Sequence, residues 1–320
     1  MRDAFLAGLT ERALKNPRIM LITGDLGFKV LDDFRTRCPD QYLNVGIAEQ
    51  NMSGIASGLA LEGWTVFTYS IGNFVSLRCL EQLRNGASYH KLNVNPVSIG
   101  AGFTYGELGT THHATEDISI MRSLPDFDVL CPGDDLEARL LAAHIEQREN
   151  PSYLRLETKP YSFPSAIEEF TFGKARTLRE GKDIAIISTG GISRIALEAA
   201  THLETHGISA SVIHLHSIAP LDVKAILNCA TEVGRIITLE EHSVVGGLGS
   251  SVAETILEAG INLDSFVRLG ITNGYSRKIG SQEYLRSIHR LDVKGIVESA
   301  LGVFENRRSS ANRSNQKTWR

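Results

Sequence analysis

This chain predicts an α/β protein of two consecutive domains, each a mainly parallel sheet with helices on both faces. Three observations carry that expectation. Short apolar runs of strand length alternate with longer helical runs, the alternation stops in a Pro-bearing polar stretch, and it then restarts. A length of 320 residues accommodates two domains of ordinary size.

Residues 18–23 read as the first strand, and 47–61 as a helix rich in small residues. Residues 65–69 follow as a strand. Residues 73–90 read as one helix with Phe74, Leu77, Leu80 and Leu83 along one side. Next come a strand at 94–101, a short helix at 115–123 and a strand at 128–131. Asp134 or Asp135 is placed to cap a helix over 134–148. A strand at 152–156 closes the first domain, set at 1–160. The break over 157–179 contains Pro160 and Pro164 without a clear period, so a linker is expected at 161–180. The second domain, 181–306, reads as strands at 183–188, 210–215, 235–239 and 265–270. Helices at 191–206, 221–233 and 249–259 alternate with them, and two more end near Phe304. Residues 307–320 are rich in Arg, Ser and Asn and are expected to be disordered.

Composition narrows the functional classes. Hydrophobic content of 42% and charged content of 22% describe an ordinary soluble globular protein. A net charge of −4 argues against a nucleic-acid partner, which selects basic surfaces. Cys38, Cys79, Cys131 and Cys229 lack metal-ligand or redox spacing and read as reduced core thiols. No apolar signal region opens the chain, and no uncharged stretch is long enough to span a bilayer. A cytoplasmic enzyme or enzyme subunit with no membrane contact is the expectation.

Three segments carry chemistry. Asn44-Val45-Gly46-Ile47-Ala48-Glu49-Gln50-Asn51 sets one carboxylate, Glu49, at the start of an apolar helix. Gly106-Glu107-Leu108-Gly109-Thr110-Thr111-His112-His113-Ala114-Thr115-Glu116-Asp117 places two adjacent histidines after a glycine-bearing loop. Leu239-Glu240-Glu241-His242-Ser243-Val244-Val245-Gly246-Gly247-Leu248-Gly249 is a glycine-rich strand-to-helix turn. Together, in this order, they resemble the C-terminal half of transketolase, from Met1 to about Phe304. The match is most similar to the stand-alone C-terminal subunit of split transketolases.

That resemblance implies a pyrimidine-binding domain followed by a C-terminal domain, and thiamin diphosphate as cofactor. Glu49 then binds a ring nitrogen of the pyrimidine and drives it to the imino form that removes the thiazolium proton. The ordinary alternative is a glutamate favoured by the helix dipole. By the same resemblance Phe74 stacks on the pyrimidine, against the commoner fate of a core phenylalanine. His112 lies beside the substrate oxygen and shuttles a proton or donates a hydrogen bond, with His113 beside it. Asp25 approaches the thiazolium side, though Gly24-Asp25-Leu26-Gly27 is a plausible turn by itself. Arg2 contacts a sugar phosphate, or is a frayed terminal charge. The glycines after Glu240-Glu241-His242 read as turn chemistry rather than a phosphate cradle.

Departures matter as much. Transketolases hold diphosphate and Mg²⁺ with Gly-Asp-Gly and a pair of asparagines; here Gly133-Asp134-Asp135 stands without such a pair. The resemblance therefore implies an N-terminal partner subunit that binds the diphosphate and Mg²⁺, in a heterotetramer with two copies of each. No metal ligand is assigned to this chain. Leu108 replaces the family's aspartate that contacts a donor hydroxyl, Thr158 and Lys159 stand where an arginine is usual, and a phosphate-gripping histidine aligns near Gly100. A two-carbon ketol transfer between a ketose and an aldose, on a non-standard sugar, is the expectation. Two alternatives remain: the β-subunit of a 2-oxo acid dehydrogenase, and a non-catalytic regulatory relative. Thr111-His112 with Glu116-Asp117 argues against the first, and retention of Glu49 and His112 against the second.

Overall fold

The computed structural model describes residues 1–164, 170–272 and 274–315, the side chains of 306–315 excepted. The first half contains α1 (Arg2–Ala13), β1 (Ile19–Thr23), α2 (Asp32–Arg37), β2 (Tyr42–Asn44) and α3 (Glu49–Leu61). It continues with β3 (Thr65–Ile71), α4 (Gly72–Val75), α5 (Leu80–Gln82), β4 (Val94–Ile99) and α6 (Asp117–Arg122). β5 (Asp128–Leu130), α7 (Asp135–Glu146) and β6 (Ser152–Leu156) complete it. The second half contains β7 (Arg176–Arg179), β8 (Ile184–Ser188), α8 (Ser193–Glu204), β9 (Ala210–His214), β10 (Ser217–Ala219) and α9 (Val223–Val233). After them come β11 (Arg235–Ser243), α10 (Leu248–Glu258), β12 (Ser265–Ile271), α11 (Gln282–Ile288) and α12 (Val293–Asn315).

The central strands are buried along their length because both faces of each sheet are covered. β3, β4 and β8 are buried almost throughout. Among the described residues the first sheet has the order β10-β5-β6-β4-β3-β1-β2 and the second β12-β11-β8-β9-β7. All pairings are parallel except those of the edge strands β10 and β7. One core lies on the α1 and α7 face, with Phe5, Leu9, Leu21, Phe67 and Leu154. Another, with Ile22, Met52, Val66 and Val94, lies on the α3 face and continues into the second half through Ile187 and Leu248.

Four details differ from the sequence expectation. The helix α1 was not anticipated, although Phe5, Leu9 and Ala13 recur at helical spacing and are buried. The expected helix over 73–90 is broken into α4, a 3₁₀ turn, α5 and a π-helical turn over Leu83–Ser88. Ser76 starts the break: its hydroxyl donates to the Gly72 carbonyl at 2.6 Å, and its backbone leaves the helical region. The expected linker ends in a strand, β7, paired antiparallel with β9. The backbone of 307–315 is helical within α12, rather than irregular, and 316–320 lie outside the described residues.

β10 is the structural surprise. It belongs to the second half by sequence yet pairs with β5 and so extends the first sheet. Polar bonds reinforce this junction. Glu137 on α7 accepts from the Gly133 N–H at 2.8 Å and pairs with His214 Nε2 at 2.9 Å, while His214 Nδ1 meets Ser193 Oγ at 2.8 Å. All three side chains are sealed from solvent, so this Ser-His-Glu row is a clasp between the halves and not a reaction centre. Nearby, His216 Nε2 accepts a hydrogen bond from the Gly173 N–H, which requires the neutral ring.

Acid should loosen this junction in two stages. Burial pushes His216 down from 6.5 to about 4. Burial alone would raise Glu137, but His214 and the Gly133 N–H hold it down, from 4.5 to about 2. Both groups are more easily protonated in the unfolded chain. Their stabilisation is therefore complete above about 6.5, fades for His216 between 6.5 and 4, and for Glu137 between 4.5 and 2. Urea midpoints measured across that range should fall in the upper window for the native chain. His216→Gln should flatten that fall.

Candidate active site

The loops at the carboxyl ends of neighbouring parallel strands gather the residues singled out from sequence, the usual place for ligands in such sheets. Glu49 follows β2, Asp25 follows β1, Phe74 follows β3, and His112 follows β4. Gly46, at φ 73°, turns the chain after β2 so that α3 begins at Glu49. The Glu49 side chain is 3% exposed and caps nothing, since α3 has no side-chain cap bond. Its Oε2 accepts from Arg78 Nη1 at 2.8 Å, and no donor among the described residues reaches Oε1.

Arg78 ties this carboxylate to the aromatic residue. Its guanidinium lies over the Phe74 ring, 4.2 Å from the centroid. Phe74 in turn meets the His112 ring edge-on at 5.3 Å. Glu49, Arg78, Phe74 and His112 thus form one row of contacts. Gly72 permits it: a Cβ there would sit 2.7 Å from the Ala114 Cβ, so only glycine lets α4 approach the histidine loop so closely. The Asn73 amide then fastens that loop, donating to the carbonyls of Thr111 at 3.2 Å and His113 at 2.9 Å.

The other expected residues are distributed differently. His113 is 2% exposed, with Nε2 on the Gly106 carbonyl at 3.2 Å and its ring edge-on to Phe103. Its imidazole is committed to the interior of the loop. Asp25 is exposed at φ 58° and exchanges hydrogen bonds with Asn44, Oδ1 to Nδ2 and N–H to Oδ1, both at 3.0 Å. Turn chemistry accounts for both bonds. Arg2 is half-buried beside Tyr69 and Tyr105, and its hydrogen bond to Asp3 raises its pKa against the opposing pull of burial. Arg2 and Lys29 line a cavity of about 340 Å³. Leu108 is 57% exposed and lines a different cavity, of about 420 Å³, with Tyr105, Lys159 and Gln282. Glu240 occupies the start of α10, accepting from the Leu248 and Gly249 N–H groups at 2.8 Å each. The N–H groups a phosphate would use are thereby taken.

Two models of protein families match this chain: "Transketolase, pyrimidine binding domain" over residues 1–162 and "Transketolase, C-terminal domain" over 173–296. The chain belongs to the transketolase family. It is 37% identical to the 6-deoxy-6-sulfo-D-fructose transketolase subunit of Clostridium sp. (strain MSTE9), over 95% of this chain and 94% of that one. It is 36% identical to an apulose-4-phosphate transketolase subunit of Phocaeicola vulgatus, over 94% and 96% of the two chains. A solved split-gene transketolase, described as an inactive beta4 tetramer, superposes with a TM-score of 0.86 at 33% identity, covering 94% of this chain and 97% of that one. The stand-alone subunit type expected from sequence agrees with these relatives, as does the two-domain α/β fold. Family membership brings dependence on thiamin diphosphate.

The residues present suit one half of that cofactor. A buried carboxylate with one open oxygen, beside an aromatic ring, suits a flat heterocycle. They do not suit its metal: among the described residues no cluster of three His, Cys, Asp or Glu side chains is placed to share an ion. No described helix is long and apolar enough to cross a membrane.

Proposed function

We propose that this chain is the pyrimidine-binding half of a two-subunit transketolase that moves a two-carbon ketol unit from a ketose to an aldose. The observation that carries this reading is Glu49, buried, with Oε2 fixed by Arg78 and Oε1 open beside Phe74 and His112. When bound, thiamin diphosphate supplies the carbon nucleophile and electron sink for such a transfer. Glu49 would hold a ring nitrogen of its pyrimidine and set the protonation of that ring. Phe74 provides the flat apolar contact and keeps water from the carboxylate. His112 offers an imidazole at the end of the row to hold or move a proton on the substrate oxygen. Asp25 and Arg2 stand farther along the same strand ends, Arg2 as the cation for an anionic sugar terminus.

The diphosphate and Mg²⁺ belong to an N-terminal partner subunit in this reading, in a cytoplasmic complex of two copies of each. Ile47, 80% exposed two residues before Glu49, and Phe28, 75% exposed in the β1 loop, are an apolar rim suited to that contact. The inactive beta4 tetramer of the solved relative fits a chain that needs such a partner.

The relatives' names point to sugars outside the common pentose phosphates, and Leu108 fits that direction because it offers a donor hydroxyl no hydrogen bond. Product analysis by mass spectrometry on the reconstituted pair tests this. Transfer from a ketose with an altered or branched skeleton should exceed that from xylulose 5-phosphate by roughly 10-fold or more. Rates on ordinary pentose phosphates equal to those of a typical transketolase would sink it.

Arg78 is the positioning residue that sequence reasoning missed. Arg78→Met should lower kcat/KM about 10-fold, a charge-assisted bond discounted for its partial exposure. Arg78→Lys should recover part of the loss, since an ammonium reaches the carboxylate but lacks the guanidinium plane. Cofactor affinity by fluorescence quenching should weaken in parallel.

A further inference from the structure

Glu240 is committed to the start of α10, but its neighbour Glu241 serves the first domain. The Glu241 side chain is 3% exposed, and its Oε1 accepts from the Phe103 N–H at 2.6 Å. The same oxygen accepts from Gln282 Nε2 at 3.0 Å, and Oε2 accepts from Arg286 Nε. Donors on both oxygens fix the carboxylate in place. A charged acceptor on a backbone N–H also makes a stronger hydrogen bond than a neutral one.

Phe103 opens the loop that carries His112. Gly102 and Ala114 close that loop by exchanging backbone hydrogen bonds, both at 3.0 Å. Gly102, at φ 56°, lies so near Glu241 that a Cβ there would sit 2.5 Å from Oε1. β11 also holds the far end of the loop, where the Ser243 N–H donates to the Thr115 carbonyl at 2.7 Å. Along the flank, Thr110 Oγ1 donates to the Ser276 carbonyl and the Gly280 N–H to the Gly106 carbonyl, each at 3.3 Å. The Phe103 ring stands between His113, edge-on at 5.1 Å, and His289, stacked at 5.3 Å. The second domain thus grips both ends and one side of a loop whose own regular structure is a 3₁₀ turn over Gly106–Leu108.

We propose that Glu241 is a positioning residue for the transfer reaction: by holding the Phe103 N–H it sets the neck of the loop and so the place of the His112 imidazole. The second domain then takes part in aligning the site. This rests on the reading of His112 as the group that meets the substrate oxygen. A bond at the neck acts on the whole loop, and a displacement of about 1 Å at a reacting group can cost up to about 100-fold in rate.

Glu241→Met in the reconstituted two-subunit enzyme should lower kcat by about 10- to 100-fold. Glu241→Gln should recover part of this, because its amide oxygen still accepts from Phe103. Thiamin diphosphate affinity should stay near native in both, since Glu49 and Arg78 make no bond to Glu241 among the described residues. A merely structural loss would move kcat and cofactor affinity together with the folded fraction. In the full-length chain alone, the ring resonances of His112, assigned through His112→Ala, should shift in Glu241→Met, because the ring lies 5.3 Å from Phe74 and feels its ring current. Glu241→Met leaves Arg286 with Glu157 alone, at 3.2 Å, and threatens folding. Gly102→Ala therefore serves as the second variant: it leaves every charge in place, pushes the neck off the carboxylate, and should give the same fall in kcat and the same shift. Native kcat with unmoved His112 resonances in either folded variant would overturn the proposal and leave Glu241 a tie between the domains. If His112→Ala keeps full kcat, the reading of His112 falls instead, and the resonances alone decide whether Glu241 places the loop.

Discussion

Glu49→Gln in the reconstituted two-subunit enzyme should lower kcat by about 10²- to 10⁴-fold, the range for removing a positioned acid–base group. Glutamine keeps the size and one acceptor oxygen but cannot exchange a proton with the ring nitrogen. It also removes the charge that Arg78 neutralises, so Arg78 loses its partner at 2.8 Å while remaining free to turn toward solvent, being 43% exposed. The fold should therefore survive, with a denaturation midpoint close to that of the native chain. Glu49→Asp is the sharper control: the carboxylate stays, but Oε1 retreats by one methylene from the row formed by Arg78, Phe74 and His112. It should fall between the native enzyme and Glu49→Gln in kcat. A Glu49→Gln enzyme with full activity would remove Glu49 from the mechanism and leave this chain as an interaction subunit.

Part of the candidate site was legible because its residues fall in local runs. Glu49 sits in a helix-start motif, Phe74 at a strand-to-helix junction, and His112 in a glycine-bearing loop; the structure brings these three together. Arg78 was not legible. Four residues after Phe74 it reads as an ordinary surface cation, and its bond to Glu49 spans 29 residues of sequence. His113 shows what such a run leaves out: two adjacent histidines read alike, but backbone geometry turns one into the loop interior. In the fold, strands such as β8 announce themselves as unbroken apolar runs. β10 could not, since three residues acquire strand identity only from β5, a partner in the other half. The broken helix over 73–90 has the same origin. Its apolar spacing is helical, while the Ser76 hydroxyl and the close approach at Gly72 decide the backbone path.

Arg155→Met should destabilise the chain by about 3–5 kcal/mol, the effect of removing one partner from a buried ion pair. Arg155 is 4% exposed, and its Nε bonds Asp117 Oδ2 at 2.8 Å. Nη2 reaches the carbonyls of Ala114 at 2.8 Å and Glu241 at 3.0 Å. One guanidinium thus joins the end of β6, the start of α6, the loop beyond His113 and a strand of the second domain. Methionine fills the stem but leaves the Asp117 carboxylate with the Tyr153 hydroxyl alone, at 2.7 Å, and two carbonyls without their donor. Urea denaturation at neutral pH should show the loss as a lower midpoint. The double variant Asp117→Asn/Arg155→Met should be less damaged than the sum of its parts, because removing the second charge relieves the first. Where enough folded protein survives, His112 should also be displaced, since Arg155 anchors the loop that carries it. That displacement would appear as a fall in kcat at saturating cofactor, separate from any change in stability. A loss below about 1 kcal/mol would show that the junction is solvated enough to tolerate an unpaired Asp117.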